Sequence, residues 1–320
     1  MSQRSTSTTA IGDLTGAWQG SRDGRECRTG HRPGPLQCLH NAGMQRSQLL
    51  ALGAILLWAS LAMLGVRLAH LPPFWLTGVT LLLGSAIALP LSRLDFAQWR
   101  VPLRTLALGV YGLFGFHFLL FIALRHAPPV QANLVNYLWP LGMVVLAPVF
   151  LPGMQLTLRQ LLAALVGFAG AALAITGGKA LEGGLAWGYL PALGSAFVWA
   201  SYSLLTQRVP PFATSAIGLF ALVSGLLSLL CHALLEAPVT PQAGDWPWLV
   251  LMGLGPLGAA FFLWDAALKR GDARQIGLLS FLTPLLSTVL LLWHRGEALS
   301  PAIGLSAVLI VGAAWLGRGR

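Results

Sequence analysis

The chain has 320 residues, of which 56% are hydrophobic and only 9% charged. Soluble domains carry about 25% charged residues, so water is not the solvent for most of this surface. The net charge of +10 would suit nucleic acid, but the basic residues sit in short loops between apolar runs and in an N-terminal tail, the pattern of membrane topology signals.

Residues 1–43 are polar, Gly- and Arg-rich and lack an apolar h-region. They read as a disordered basic cytoplasmic tail and not as a signal peptide. Met44, directly before Gln-Arg-Ser and the first apolar run, offers an alternative start of translation. Cys27, Cys38 and Cys231 make no disulfide framework, and Cys27, His31, Cys38 and His40 match no zinc spacing, so no metal or other cofactor is expected.

Apolar runs near 20 residues then recur to the C-terminus, each long enough to cross roughly 30 Å of hydrocarbon as a helix. The ten-residue alternation of a membrane β-barrel is missing. Punctuation at Pro72-Pro73, Arg93 to Pro102, Pro128-Pro129, Pro152-Gly153, Gly177 to Gly184 and Pro210-Pro211 marks the turns. The reading is all-α, with ten membrane spans near 48–69, 74–91, 103–124, 129–150, 157–176, 185–206, 213–235, 246–268, 273–293 and 299–316. With the N-terminus placed inside, only Arg67, Arg125, Lys179 and Arg295 of the 20 Lys and Arg fall outside. That asymmetry obeys the positive-inside rule with both termini cytoplasmic.

The chain repeats itself. ALGAILLWASLAML from Ala51 matches ALGSAFVWASYSLL from Ala192, with A-L-G and W-A-S in register. ALRHAPPVQANLVNYLWPLGMVVL from Ala123 matches ALKRGDARQIGLLSFLTPLLSTVL from Ala267, aligning Gln131 with Gln275, Tyr137 with Phe281 and Pro140 with Pro284. The first copy is expected over 44–178 and the second over 179–320. Five spans is an odd number, so the second copy is inverted, an architecture that secondary transporters use to bind solutes at the midplane.

These features resemble the drug/metabolite transporter superfamily, specifically its EamA-type members with two five-helix halves. The resemblance runs from about Gln45 to the C-terminus. VNYLWP at Val135 to Pro140, with the A-I-L-L-W-A-S stretch, is similar to the YddG-type aromatic amino acid exporters. The resemblance implies export of Phe, Tyr, Trp and related neutral metabolites across a bacterial inner membrane.

Polar groups at membrane depth are costly unless they face the bundle interior. Asn133, Asn136, Tyr137 and Pro140 fall on one helical stripe, where two amides and a phenol could hold an amino acid's charged ends; Trp139 adjoins it. Trp58 and Trp199, equivalent in the two copies, lie away from the interfacial belts where Trp collects, followed by Ser60, Ser201 and Tyr202. His117 lies in the middle of the third span. His117, Asn133, Asn136, Tyr137, Trp139, Trp58, Ser60, Trp199 and Tyr202 are therefore the candidate substrate-binding residues, each with helix packing as the rival role. Pro140 and Pro284 are candidate paired hinges. Asp265 precedes Lys269 by four residues, which a helical ion pair explains.

No GxxxxGK[ST] phosphate loop exists, so ATP is not the direct energy source. Few buried carboxylates favour facilitated export or exchange over ion-driven pumping. Two rival readings stand beside amino acid export. The first is another EamA substrate class, such as a different amino acid, a nucleoside or a drug-like cation; an acidic cavity would support cations, and Asp265 stands alone. A membrane-embedded lipid-modifying enzyme would need clustered His, Asp or Glu, and no catalytic cluster is visible. Partners are then the solute and membrane lipid, without nucleic acid; a monomer is compatible with all of this.

Overall fold

The computed structural model describes residues 35–181 and 184–317, with side chains from Gln45 onward. Residues 1–34 of the tail, Cys27 and His31 among them, lie outside the described residues. The first helix begins at Pro35, so residues 35–43, read from sequence as tail, are helical backbone. From His40 onward the chain forms one compact body, and no strand occurs among the described residues.

Among the described residues that body is a bundle of ten helical rods. We number them α1 (Gln45–Arg67), α2 (Pro73–Leu91), α3 (Leu103–His126), α4 (Pro129–Phe150), α5 (Leu158–Thr176), α6 (Tyr189–Leu205), α7 (Thr214–Leu235), α8 (Ala243–Leu268), α9 (Ala273–Arg295) and α10 (Pro301–Leu316). Eight are long and apolar enough to cross a membrane unaided. At 1.5 Å per residue the 17 residues of α6 reach only about 26 Å; turns bonded Tyr189 N–H to Ala186 and Arg208 N–H to Leu205 lengthen it at both ends.

Proline and glycine place the rod ends. Pro73, Pro129 and Pro301 open α2, α4 and α10 at first-turn positions, where a missing N–H costs nothing. Thr157 accepts from Gln160 N–H and starts α5 with a capping box. Gly177 and Gly296 end α5 and α9 with positive φ of 62° and 68°, a conformation that glycine adopts without a Cβ penalty.

The second half runs upside down to the first, and counterpart rods meet. α5 lies along α10, where Ser306 Oγ donates to the Gly170 carbonyl at 2.7 Å. α2 lies along α7, and α4 crosses α9 where Gly277 faces Met143 and the Pro140 carbonyl. Small residues permit these approaches, as expected where dispersion and not hydrophobicity joins helices. Large side chains such as Leu103, Val149, Val308 and Trp315 are exposed around the outside, the surface available to lipid.

Breaks inside the rods bear on the site. α4 is interrupted at Tyr137-Leu138, just before Pro140, and α9 at Ser280-Phe281, just before Pro284. Proline offers no N–H to the carbonyl four residues back, so the preceding turn tightens: Leu138 N–H reaches Val135, and Thr283 N–H reaches Ser280. The third rod of each half carries a wide π turn, Tyr111–Gly115 in α3 and Gly255–Ala259 in α8. α1 also breaks at Ser60, whereas its counterpart α6 is continuous.

Candidate functional site

A cavity of about 460 Å³ opens between the halves. It is lined from α1 by Trp58, Leu61, Ala62 and Gly65, from α2 by Leu76 and Thr77, and from α3 by Phe116, His117, Leu120, Phe121 and Leu124. α4 supplies Asn133, Asn136, Tyr137 and Trp139, and α6 supplies Trp199. The remaining wall is Met252, Leu257 and Phe261 of α8 with Thr283 and Ser287 of α9. Among the described residues no Asp, Glu, Lys or Arg lines it.

Aromatic rings close one end. Trp58 meets Trp199 with centroids 5.6 Å apart, Phe261 at 6.0 Å and Trp264 at 5.1 Å. Trp139 lies 5.7 Å from Trp264, and Tyr202 lies 5.3 Å from Trp199. These edge-on and tilted arrangements suit the ring quadrupoles. The polar tips are held: Trp58 Nε1 donates to the Pro256 carbonyl at 3.1 Å, inside the α8 π turn, and Trp264 Nε1 donates to Ser203 Oγ at 3.1 Å. The other end of the cavity reaches Thr77 near the start of α2 and Leu124 near the end of α3.

His117 is oriented by a carbonyl of the α3 π turn, that of Leu113. The Leu113 carbonyl lies 2.6 Å from His117 Nδ1, and a carbonyl only accepts, so Nδ1 carries the proton. In the neutral ring Nε2 is then an acceptor. Asn136 is held from the opposite side, where Ser195 Oγ of α6 lies 2.8 Å from its Oδ1 and shares its one proton between that oxygen and the Ala192 carbonyl at 2.7 Å.

Of the residues singled out from sequence, Trp58, His117, Asn133, Asn136, Tyr137, Trp139 and Trp199 share this one cavity. Ser60 does not line it; its hydroxyl donates to the Leu57 carbonyl at 2.7 Å, within the α1 break. Tyr202 lies beneath the aromatic end, packed on Gly112 and 3% exposed. Pro140 and Pro284 are buried beside the two breaks. Asp265 pairs with Lys269 at 2.6 Å and accepts from Thr214 at 2.7 Å, away from the cavity lining. Sequence reasoning passed over Thr283, Ser287, Phe116 and Phe261. The repeat register held one signal for Thr283, which aligns with Trp139 when Pro284 is set on Pro140.

The EamA-like transporter family matches this chain twice, over residues 45–176 and again over 186–317. The chain belongs to that family. Each match covers five rods, so the two EamA units are the two halves of the bundle, and the chain is a multi-pass membrane protein. Among EamA proteins, the aromatic amino acid exporter YddG of Ancylobacter novellus is 40% identical over 279 residues, covering 85% of this chain and 97% of the relative. A probable terminal-alkyne amino-acid exporter of Streptantibioticus cattleyicolor is 29% identical over 226 residues, 66% of this chain and 73% of that protein. A crystal structure at 39% identity covers 86% of this chain and 97% of its own, with a TM-score of 0.79.

Proposed function

We propose that this EamA transporter exports aromatic amino acids and related neutral metabolites by alternating access, without nucleotide hydrolysis. The observation that carries the reading is the cavity wall. Indole and phenyl rings from both halves surround a space of about 460 Å³, within the ~300–1,000 Å³ range of small-molecule sites. Rings of the solute gain offset or edge contacts with such walls, and an ammonium gains attraction to the indole faces.

The absence of ionised side chains from the described lining argues for a solute with no net charge. A lone cation or anion would sit there unpaired, at a cost that dipoles repay poorly. A zwitterion brings both charges, and the neutral groups offer each what it needs. His117 Nε2 accepts from the ammonium, while the amide and hydroxyl groups donate to the carboxylate.

The charge asymmetry of the loops supports both termini being cytoplasmic in a bacterial inner membrane. The cavity then lies on the external side of the midplane, and the aromatic end closes the cytoplasmic path. This is an outward-facing state. The inverted halves supply the inward-facing state by exchanging conformations, with the breaks before Pro140 and Pro284 as the bending points.

Efflux of labelled Phe from preloaded proteoliposomes tests the reading. Faster release than from protein-free vesicles, inhibited by Trp and Tyr, is the expected result. Release at the protein-free rate for all three amino acids would refute it.

A further inference from the structure

Thr283 is the second residue of the half-helix Leu282–Arg295, which begins at the break in α9. Its hydroxyl is out of character for a helical threonine, which usually donates to a carbonyl three or four residues back. Thr80 does so to Leu76 at 2.6 Å, and Ser280 does so to Ile276 at 2.9 Å. Thr283 Oγ1 is buried and has no hydrogen-bond partner; Thr105, Ser224 and Ser228 share that lack, and of these four hydroxyl residues only Thr283, 4% exposed, lines the cavity. Ser287, one turn on, lines the same cavity.

The repeat sharpens the oddity. Thr283 stands in the second half where Trp139 stands in the first, and both line the cavity. One wall thus carries an indole, and the counterpart wall carries a threonine whose buried hydroxyl has no partner. The half-helix of 14 residues also brings its N-terminus to this point, the positive end of the helix dipole. Broken transporter helices use such ends to face anionic groups of a substrate.

We infer that Thr283, assisted by Ser287, recognises the carboxylate of the transported amino acid and sets its preference over the corresponding amine. The assignment rests on the amino acid reading above. It gives the cavity two poles: His117 Nε2, an acceptor, takes the ammonium, and the hydroxyl pair of α9, with a free proton to donate, takes the carboxylate.

The test compares wild type, Thr283→Val and Thr283→Ser in proteoliposomes carrying labelled Phe. Phenethylamine, lacking the carboxylate, and 3-phenylpropionate, lacking the ammonium, serve as competitors. Thr283→Val keeps the side-chain shape and removes the hydroxyl. It should raise the half-saturating Phe concentration roughly tenfold or more, the range for a hydrogen bond to a charged group. Discrimination against phenethylamine should fall by a similar factor, discrimination against 3-phenylpropionate should stay, and Thr283→Ser should restore most of the loss. The unfolding temperature of Thr283→Val should match or exceed wild type, because a partnerless buried hydroxyl stabilises nothing.

Wild-type saturation and selectivity in Thr283→Val, with wild type moving Phe, would overturn the carboxylate assignment and leave the transport reading standing. A lowered unfolding temperature with no rescue by Ser would make the hydroxyl structural and overturn it equally. If wild type moves no amino acid, both readings fall together.

Discussion

The indoles of Trp58 and Trp199 meet edge to face, 5.6 Å between centroids at an interplanar angle of 79°. They hold the same register in the two inverted halves, so the pseudo-twofold relation of the bundle passes between them. The two are not used alike. Trp58 Nε1 donates to the Pro256 carbonyl, tying α1 to the π turn of α8, while Trp199 packs against Phe261 and Tyr202.

That difference is measurable. Trp58→Phe keeps a ring but leaves the Pro256 carbonyl without this donor, a loss of about 1 kcal/mol. Trp58→Phe should therefore unfold at lower temperature than Trp199→Phe in the same detergent. Equal unfolding temperatures would mean that the Trp58 bond contributes nothing to the folded state.

His117 should behave as the partner of Thr283 at the opposite pole. His117→Ala removes the acceptor that the Leu113 contact orients. It should weaken discrimination against 3-phenylpropionate roughly tenfold and leave discrimination against phenethylamine unchanged. Competition against labelled Phe flux reads both numbers. Tyr137→Ala should lower Phe flux as well, and wild-type flux in both His117→Ala and Tyr137→Ala would misplace the pocket.

Gly84 sits where α2 touches α8. A Cβ there would lie 2.7 Å from the Leu257 carbonyl, 2.8 Å from the Gly253 carbonyl and 2.8 Å from Gly258 Cα. All three are backbone atoms and cannot turn aside. Gly84→Ala should destabilise by about 2 kcal/mol, as overpacking does, and reduce the yield of monodisperse protein on size-exclusion chromatography. Gly312→Ala, where a Cβ meets nothing within 4 Å, is the control and should elute as wild type does.

Glu236 ties three rods at the end of the bundle nearest the cavity mouth. Its carboxylate accepts from the Phe74 and Trp75 N–H groups at 3.1 and 3.2 Å, capping α2, and binds Arg125 at 2.6 Å and His232 at 3.0 Å. Glu236→Ala should cost about 2 kcal/mol through the lost cap and charged bonds. The reading is a lower unfolding temperature than Arg125→Ala shows, since Arg125 is half exposed and makes only one of the four contacts.

Much of the architecture was legible in the sequence because hydrocarbon imposes it. Span length follows membrane thickness, and prolines and charges mark the turns. The repeat showed because Trp and mid-helix Pro recur in register. Seven of the residues singled out line the cavity together, since indoles and amides away from the interfaces are uncommon without an interior to face. Ser60 escaped because its hydroxyl bonds back to the Leu57 carbonyl three residues earlier, the usual way a helical serine satisfies itself. Thr283 escaped for the opposite reason. A threonine in an apolar helix satisfies itself by bonding back along its own turn, as Thr80 does; only coordinates distinguish one that does not. Nothing in the sequence singled out Glu236, because its partners come from α2, α3 and α7.

The central claim is that two inverted halves carry an aromatic amino acid across the bilayer by exchanging conformations around one cavity. Counterflow tests it most directly. Proteoliposomes loaded with unlabelled Trp should accumulate external labelled Phe above its equilibrium level, transiently, with no ATP and no imposed ion gradient. Equilibration without overshoot, or uptake equal to protein-free vesicles, would contradict an alternating-access carrier for these solutes.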